Sequence, residues 1–374
     1  MESIKPGRPL VHSYATKLNT GKMRRTFLRL VLIVVGIGVG LSLAEVTMRA
    51  FQIGHKNTVT RYNDKVLKLK PHLKFMNYRE NKNLVATNNL GFHDHEREGT
   101  NGNYRILFLG DSFLEGRQVQ TESLFTIRLE KKFLQDGQKI ETINGGVPGT
   151  GTAHQYVLWK EFFEPNIKVD HLVLCFNMDN DLRDNNLDLS ASEGAFFVDS
   201  QGKILESGSK PGLLKEIVNP IRDHSYLINT LYESAYKVKE SLRAEAEENV
   251  AGQQARGDTS QSWEASEQGT IALIRKWKSE LAGKNIPFDV VIIERPERVY
   301  NKFESDFIDK LRATCAQDQI DCLRLKLSSN PFDTYSFDGI SLGHFNDKGH
   351  EMAANELYDC FKSYHGAIFN RSPR

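Results

Sequence analysis

The chain has 374 residues, enough for one large domain or two modest ones, and its 39% hydrophobic and 26% charged content is that of a globular protein with ample core. Forty-nine Lys and Arg against 48 Asp and Glu leave a formal net charge of +1, so the overall balance gives no reason to invoke nucleic acid. That charge is unevenly spread: Lys5, Arg8, Lys17, Lys22, Arg24, Arg25 and Arg29 crowd the first thirty positions, opposed only by Glu2.

Directly after this basic tail (residues 1–26) comes the apolar run LVLIVVGIGVGLSLA, residues 30–44. A spanning helix needs roughly 20 residues. Phe27–Leu28 and Val46–Met48 supply the missing length if Arg29 and Glu45 snorkel to the interfaces. Residues 27–49 therefore read as a signal-anchor, a single transmembrane helix with a cytoplasmic N-terminus and everything after it extracytoplasmic, periplasmic or at the cell surface. A cleaved secretory signal is the alternative, because Ser42-Leu43-Ala44 has the small-x-small form of a cleavage site.

Residues 50–100 are polar with few periodic apolar positions and read as a juxtamembrane spacer packed loosely on the domain that follows. From there strand-like and helix-like segments alternate. Strands are expected at 105–109, 139–143, 171–176, 288–293 and 321–325, and helices at 121–135, 153–163, 267–283, 303–317 and 346–363. That rhythm implies a mainly parallel sheet with right-handed crossovers and helices on both faces. It breaks at about 186–265, an insertion in which Leu227, Leu231, Ala235, Val238 and Leu242 recur at helical spacing. A polar, turn-rich stretch follows, to be read either as a lid or as a solvated loop. Cys315 and Cys322 have a spacing that a disulfide bridges in an oxidising space, whereas Cys175 reads as a buried thiol. No C-x-x-C or His/Cys spacing suggests a metal site, and no cofactor is called for.

Four segments carry chemistry. Residues 105–116, RILFLGDSFLEG, are an apolar run that stops at Gly-Asp-Ser and resumes as a helix, which presents one serine oxygen at the end of a buried strand. Residues 144–152, NGGVPGTGT, form a Gly-rich turn. Residues 171–185, HLVLCFNMDNDLRDN, are a second buried-type strand ending in Asn-Asp, and residues 338–354, DGISLGHFNDKGHEMAA, are a polar loop with two histidines running into a helix. Taken singly, Ser112 also reads as a helix cap and Asn180 as the cap of the element at Leu182.

In this order the four segments resemble the GDSL/SGNH family of esterases and acyltransferases over roughly residues 85–365, and TNNLGFHDHE (87–96) resembles the lead-in of bacterial, membrane-anchored members. The resemblance implies a three-layer α/β/α sandwich of SGNH/flavodoxin-like type, here an SGNH domain over 101–368 behind the membrane helix. It implies Ser112 as nucleophile and His344 as base. It implies an oxyanion hole from the Ser112 N–H, the Gly149 N–H and the Asn180 side chain, with Gly146 and Gly151 as substitutes for Gly149. Two positions depart from the family pattern: Met178 stands where Gly is usual in G-x-N-D, and Ser341 stands where Asp is usual in D-x-x-H. The nearest upstream carboxylate is Asp338, the candidate orienting residue. A second register (Asp347 with His350) and a Ser–His dyad remain open. The implied function is an extracytoplasmic serine esterase acting on ester-linked acyl groups of envelope polysaccharide or lipid. An O-acyltransferase with the same site and a non-catalytic glycan-binding or assembly module are the alternatives.

Overall fold

The apolar runs of the sequence become the strands of one sheet in a computed structural model of the protein, which describes residues 15–51, 53–54, 56–78, 80–98, 102–190, 196–206, 213–235, 238, 258–295, 300–325, 327, 330–337 and 343–365. Its central strands are β5 (Tyr104–Gly110), β6 (Ile140–Gly146), β7 (His171–Asn177), β10 (Phe288–Ile293) and β11 (Asp321–Arg324), where β1–β4 and β8–β9 are hairpins described below. They pair in parallel in the order β11-β10-β7-β5-β6. Renumbered along the sheet this is 2-1-3-4-5, the flavodoxin-like order, whose switch point lies between β5 and β7.

Successive strand residues face opposite ways, and the two faces carry separate cores. Leu107, Leu109, Leu172, Leu174, Val290 and Ile292 pack under helices Thr152–Leu158, Asp258–Ala282 and Lys302–Gln317. Ile106, Phe108, Val173, Cys175, Val291 and Ile293 pack under helices Phe125–Gln135 and Asp347–Tyr364. The three-layer α/β/α sandwich expected from the sequence is thus present. Cys175 is a buried thiol within it, and Cys315 and Cys322 are free thiols hydrogen-bonded to one another.

The stretch 50–100 is not the loose spacer that its polarity suggests. It forms two antiparallel hairpins, β1 (Val59–Tyr62) with β2 (Val66–Leu69) and β3 (Lys74–Asn77) with β4 (Asn83–Ala86). After them Phe92, His93, Asp94 and Arg97 are buried. The sequence hides this because the burial is polar: the Arg97 guanidinium bonds Asp94 (2.7 Å), Glu130 (3.0 Å) and Glu141 (3.2 Å), and Arg105 bonds Glu141 at 2.5 Å. One cation network therefore rivets residues 94–97 to β5, β6 and the helix between them.

The insertion also begins as part of the domain. Strands β8 (Phe196–Val198) and β9 (Ile204–Glu206) form a hairpin whose three β8 residues are buried. Most of the candidate lid, residues 245–262, lies outside the described residues. The N-terminal helix Ala15–Phe51 is the one helix among the described residues long and apolar enough to cross a membrane, and its span is exposed all round. At its end the Glu45 carboxylate accepts hydrogen bonds from Ser225 Oγ and from the Tyr226 and Leu227 backbone N–H groups, capping the turn of helix in the insertion that begins there.

Candidate active site

Three neighbouring strands end at one place. Ser112 follows β5, Gly149 follows β6 and Asn180 follows β7, so the crossover topology gathers them beyond the carboxyl ends at the switch point. Gly146 sits so close under the backbone of Leu114 and Glu115 that any side chain there would overlap it. That close approach seats the helix Ser112–Glu115 on the end of β6.

Asp111, although it adjoins the serine, spends both carboxylate oxygens on structural hydrogen bonds. Its Oδ1 accepts from the Phe113 N–H (2.9 Å) as the helix N-cap, and its Oδ2 accepts from Asn177 Nδ2 (2.7 Å). Burial pushes its carboxyl up to about 6, against the opposing pull of the Asn177 and Phe113 hydrogen bonds. Ser112 occupies the first helical position, where the backbone N–H has no partner within the helix.

His344 reaches this serine from the loop before helix Asp347–Tyr364. Its Nε2 lies 2.8 Å from Ser112 Oγ, and its ring lies 4.7 Å (centroid to centroid) from that of Phe113. The loop is fixed by Asn346, which caps the helix through Gly349 N–H (2.9 Å) and donates to the Asp333 (3.0 Å) and Ser336 (2.6 Å) carbonyls. The competing register is set aside by the same structure. His350 is buried in the first helical turn, its Nδ1 accepting from Phe125 N–H at 3.2 Å, and burial pushes it down to about 3, so it stays neutral there.

The far nitrogen of His344 meets a residue that no motif singles out. Glu80, at the tip of the β3–β4 hairpin, places Oε1 2.7 Å from His344 Nδ1, and its Oε2 accepts from the His344 backbone N–H at 2.7 Å. Burial works to raise the Glu80 carboxyl, but the hydrogen bonds and charge of His344 and the charge of Arg295 outweigh it and hold the carboxyl below its usual range. Gly343 makes the contact possible, since a Cβ at that position would overlap the Glu80 carboxylate. Asp338 lies outside the described residues, and the nitrogen expected to face it is taken by Glu80. The lone signals in the sequence were the missing Asp at position 341 and the Gly immediately before His344.

The candidate oxyanion donors sit in suitable chemistry. Gly149 adopts φ 68° with open space beside it, a backbone that favours glycine. Asn180 Nδ2 donates one of its two hydrogens to Asp184 Oδ2 (3.1 Å). In the helix after Gly151, His154 is buried and bonds the Leu67 carbonyl (2.8 Å). Glu294 pairs with Arg324 (2.5 Å) and Arg295 with Asp179 (2.6 Å), while Arg298 lies outside the described residues.

No protein-family model and no curated protein sequence matches the chain. Among solved structures it is similar to a psychrotrophic esterase from Pseudoalteromonas sp. (12% identity, 71% of this chain and 100% of that one, TM-score 0.38). It is also similar to a lipase/acylhydrolase from Enterococcus faecalis (13% identity, 72% and 98%, TM-score 0.39) and to an acetyl xylan esterase (12% identity, 68% and 98%, TM-score 0.37). Likeness this distant carries no argument about activity, which has to come from the site itself.

Proposed function

We propose that the chain is a serine ester hydrolase of SGNH type, with Ser112 as nucleophile, His344 as base and Glu80 as the residue that orients the base. The observation that carries this is the unbroken relay from Ser112 Oγ to His344 Nε2 (2.8 Å) and from His344 Nδ1 to Glu80 Oε1 (2.7 Å). A serine hydroxyl is a weak nucleophile until a positioned base takes its proton. Glu80, accepting at Nδ1, favours the tautomer that leaves Nε2 unprotonated to receive it.

In the first step Ser112 Oγ bonds to the ester carbonyl carbon and its proton passes to His344 Nε2. The carbonyl oxygen takes the negative charge, and the N–H groups of Ser112 and Gly149 with the Asn180 amide receive it. His344 then returns the proton to the leaving alcohol oxygen as the ester C–O bond breaks. Water, activated by the same imidazole, releases the acid and restores Ser112. We extend the proposal to location: the anchor helix holds the site outside the cytoplasm, where ester-linked acyl groups on envelope polysaccharide or lipid are within reach. A binding module has no use for a hydroxyl, an imidazole and a carboxylate in series.

The test is hydrolysis of a small aryl acetate by the full chain in detergent, beside Ser112→Ala, His344→Ala and Glu80→Gln. Activity in the intact chain that is lost in the first two variants supports the proposal. A folded chain inert toward aryl acetates with water, yet active when a sugar acceptor is supplied, would replace hydrolysis by acyl transfer. A folded chain inert in both would leave a binding module.

A further inference from the structure

At the opposite end of the sheet from Ser112, four metal-ligand side chains from distant parts of the chain converge. His171 opens β7, Asp289 lies at the start of β10, Asp321 opens β11, and His365 follows helix Asp347–Tyr364. Asp289 Oδ2 lies 2.8 Å from His171 Nε2 and 2.8 Å from His365 Nε2, while His365 Nε2 lies 3.5 Å from Asp321 Oδ2. The two imidazole rings stand 4.7 Å apart, nearly perpendicular.

Two features make this more than a hydrogen-bonded cluster. Asp289 and Asp321 are direct partners in the β10–β11 register, and like charges placed opposite one another on adjacent strands destabilise a sheet, a cost that a bound cation would offset. The donor set is also that of a transition-metal site: two imidazole nitrogens with carboxylate oxygens suit zinc. The atoms of His171, Asp289 and His365 already lie within 4.8 Å of one another. Around a tetrahedral ion with bonds near 2.0 Å, neighbouring ligand atoms stand about 3.3 Å apart. The two contacts of Asp289 with His171 and His365 therefore have to open by only about half an ångström to receive one. Asp321 is the most exposed of the four and borders an open recess shared with Asp289, Cys322, Cys360 and His365, which gives an ion its way in.

We propose that His171 Nε2, Asp289, His365 Nε2 and Asp321 bind one divalent transition-metal ion, zinc foremost, as a structural site. Its place in the fold gives it a purpose. The helix Asp347–Tyr364 begins three residues after His344 and ends one residue before His365, so an ion there pins the far end of the element that carries the catalytic loop. The ligands come from positions 171, 289, 321 and 365, a spacing that no sequence pattern would flag.

The experiment uses the full chain in detergent, stripped with EDTA, dialysed against ZnCl2 and assayed for metal content and melting temperature. Retention of one zinc per chain with a raised melting temperature is expected, and in Co2+ the visible absorption of a four-coordinate site. Asp321→Asn should weaken binding by about tenfold or more, and His365→Ala should abolish it, whereas His344→Ala should retain the metal. An intact chain that retains no zinc overturns the proposal. So does an Asp321→Asn chain, folded by circular dichroism, that binds as tightly as the parent, or loss of the metal in His344→Ala alone.

Discussion

Glu80 and His344 meet through two hydrogen bonds, one to the ring nitrogen Nδ1 and one to the backbone N–H, each 2.7 Å long. The carboxylate therefore fixes both the tautomer of the imidazole and the path of the loop that carries it. Glutamate arrives here from a hairpin rather than from the loop of the histidine itself. Its longer side chain spans the gap between the two elements and meets His344 edge-on with both oxygens.

Replacing Glu80 by Gln removes the charge and one acceptor while keeping the shape. The amide nitrogen then faces an N–H donor, so one of the two bonds becomes a donor–donor clash. We expect kcat on aryl acetates to fall by about 10²–10⁴-fold with KM little changed. Glu80→Asp, which keeps the charge but shortens the reach, should recover part of it. Wild-type rates in Glu80→Gln would show that a backbone group or Asp338 orients the base instead.

Gly343→Ala tests the same contact from the other side. The new Cβ overlaps only the far end of the Glu80 side chain, which can swing away at little cost. The melting temperature should therefore stay close to that of the parent while kcat drops toward the Glu80→Gln level. Combined with Glu80→Gln, the second change should add almost nothing, because both remove one interaction. Full additivity in that cycle would mean the two residues act separately.

The central sheet was legible because strands covered on both faces are predominantly apolar, as the runs at 106–109, 172–176 and 290–293 are. Ser112, Gly149 and Asn180 were singled out by the resemblance to the GDSL/SGNH family, and each lies just past a strand of that sheet. Glu80 was not legible. It lies 264 residues from its partner, in a polar hairpin with no periodicity, and long-range polar contacts leave no trace in local pattern. The burial of Phe92, His93, Asp94 and Arg97 was missed for a related reason, as HDHER reads as surface until Arg97 is seen to neutralise three carboxylates.

Arg97 supplies a stability prediction from that network. It is nearly fully buried and bonds Asp94, Glu130, Glu141 and the Thr142 carbonyl. Arg97→Met leaves those carboxylates buried with fewer counter-charges, which should cost about 3–5 kcal/mol in urea unfolding. A loss below roughly 1 kcal/mol would place residues 94–97 back among loosely attached elements.

Asp111 gives a pH dependence of definite sign. Burial raises its native pKa to about 6, above an unfolded value near 3.9. Between those values the native state holds the proton that the unfolded state has lost, so stability falls as pH rises through about 4 to 6 and then levels off. Two units correspond to roughly 3 kcal/mol. Asp111→Asn cannot ionise, so the stability difference between parent and variant should shift by that order between pH 4 and pH 7. Parallel pH profiles would show that Asp111 does not carry the effect.

Asn180 tests the electrostatic half of the mechanism. Its amide uses one hydrogen on Asp184, and a planar carboxamide carries its second hydrogen at a fixed angle to the first. If that hydrogen meets the tetrahedral oxyanion, Asn180→Ala should lower kcat by about 10²–10³-fold while substrate binding changes little, because the charge exists only in the transition state. Asn180→Asp keeps the size, removes the donor and sets a second carboxylate beside Asp184, so it should be at least as damaging. Comparing the two separates the roles: a variant pair that loses stability but keeps kcat would assign Asn180 to holding the turn after β7, not to the oxyanion.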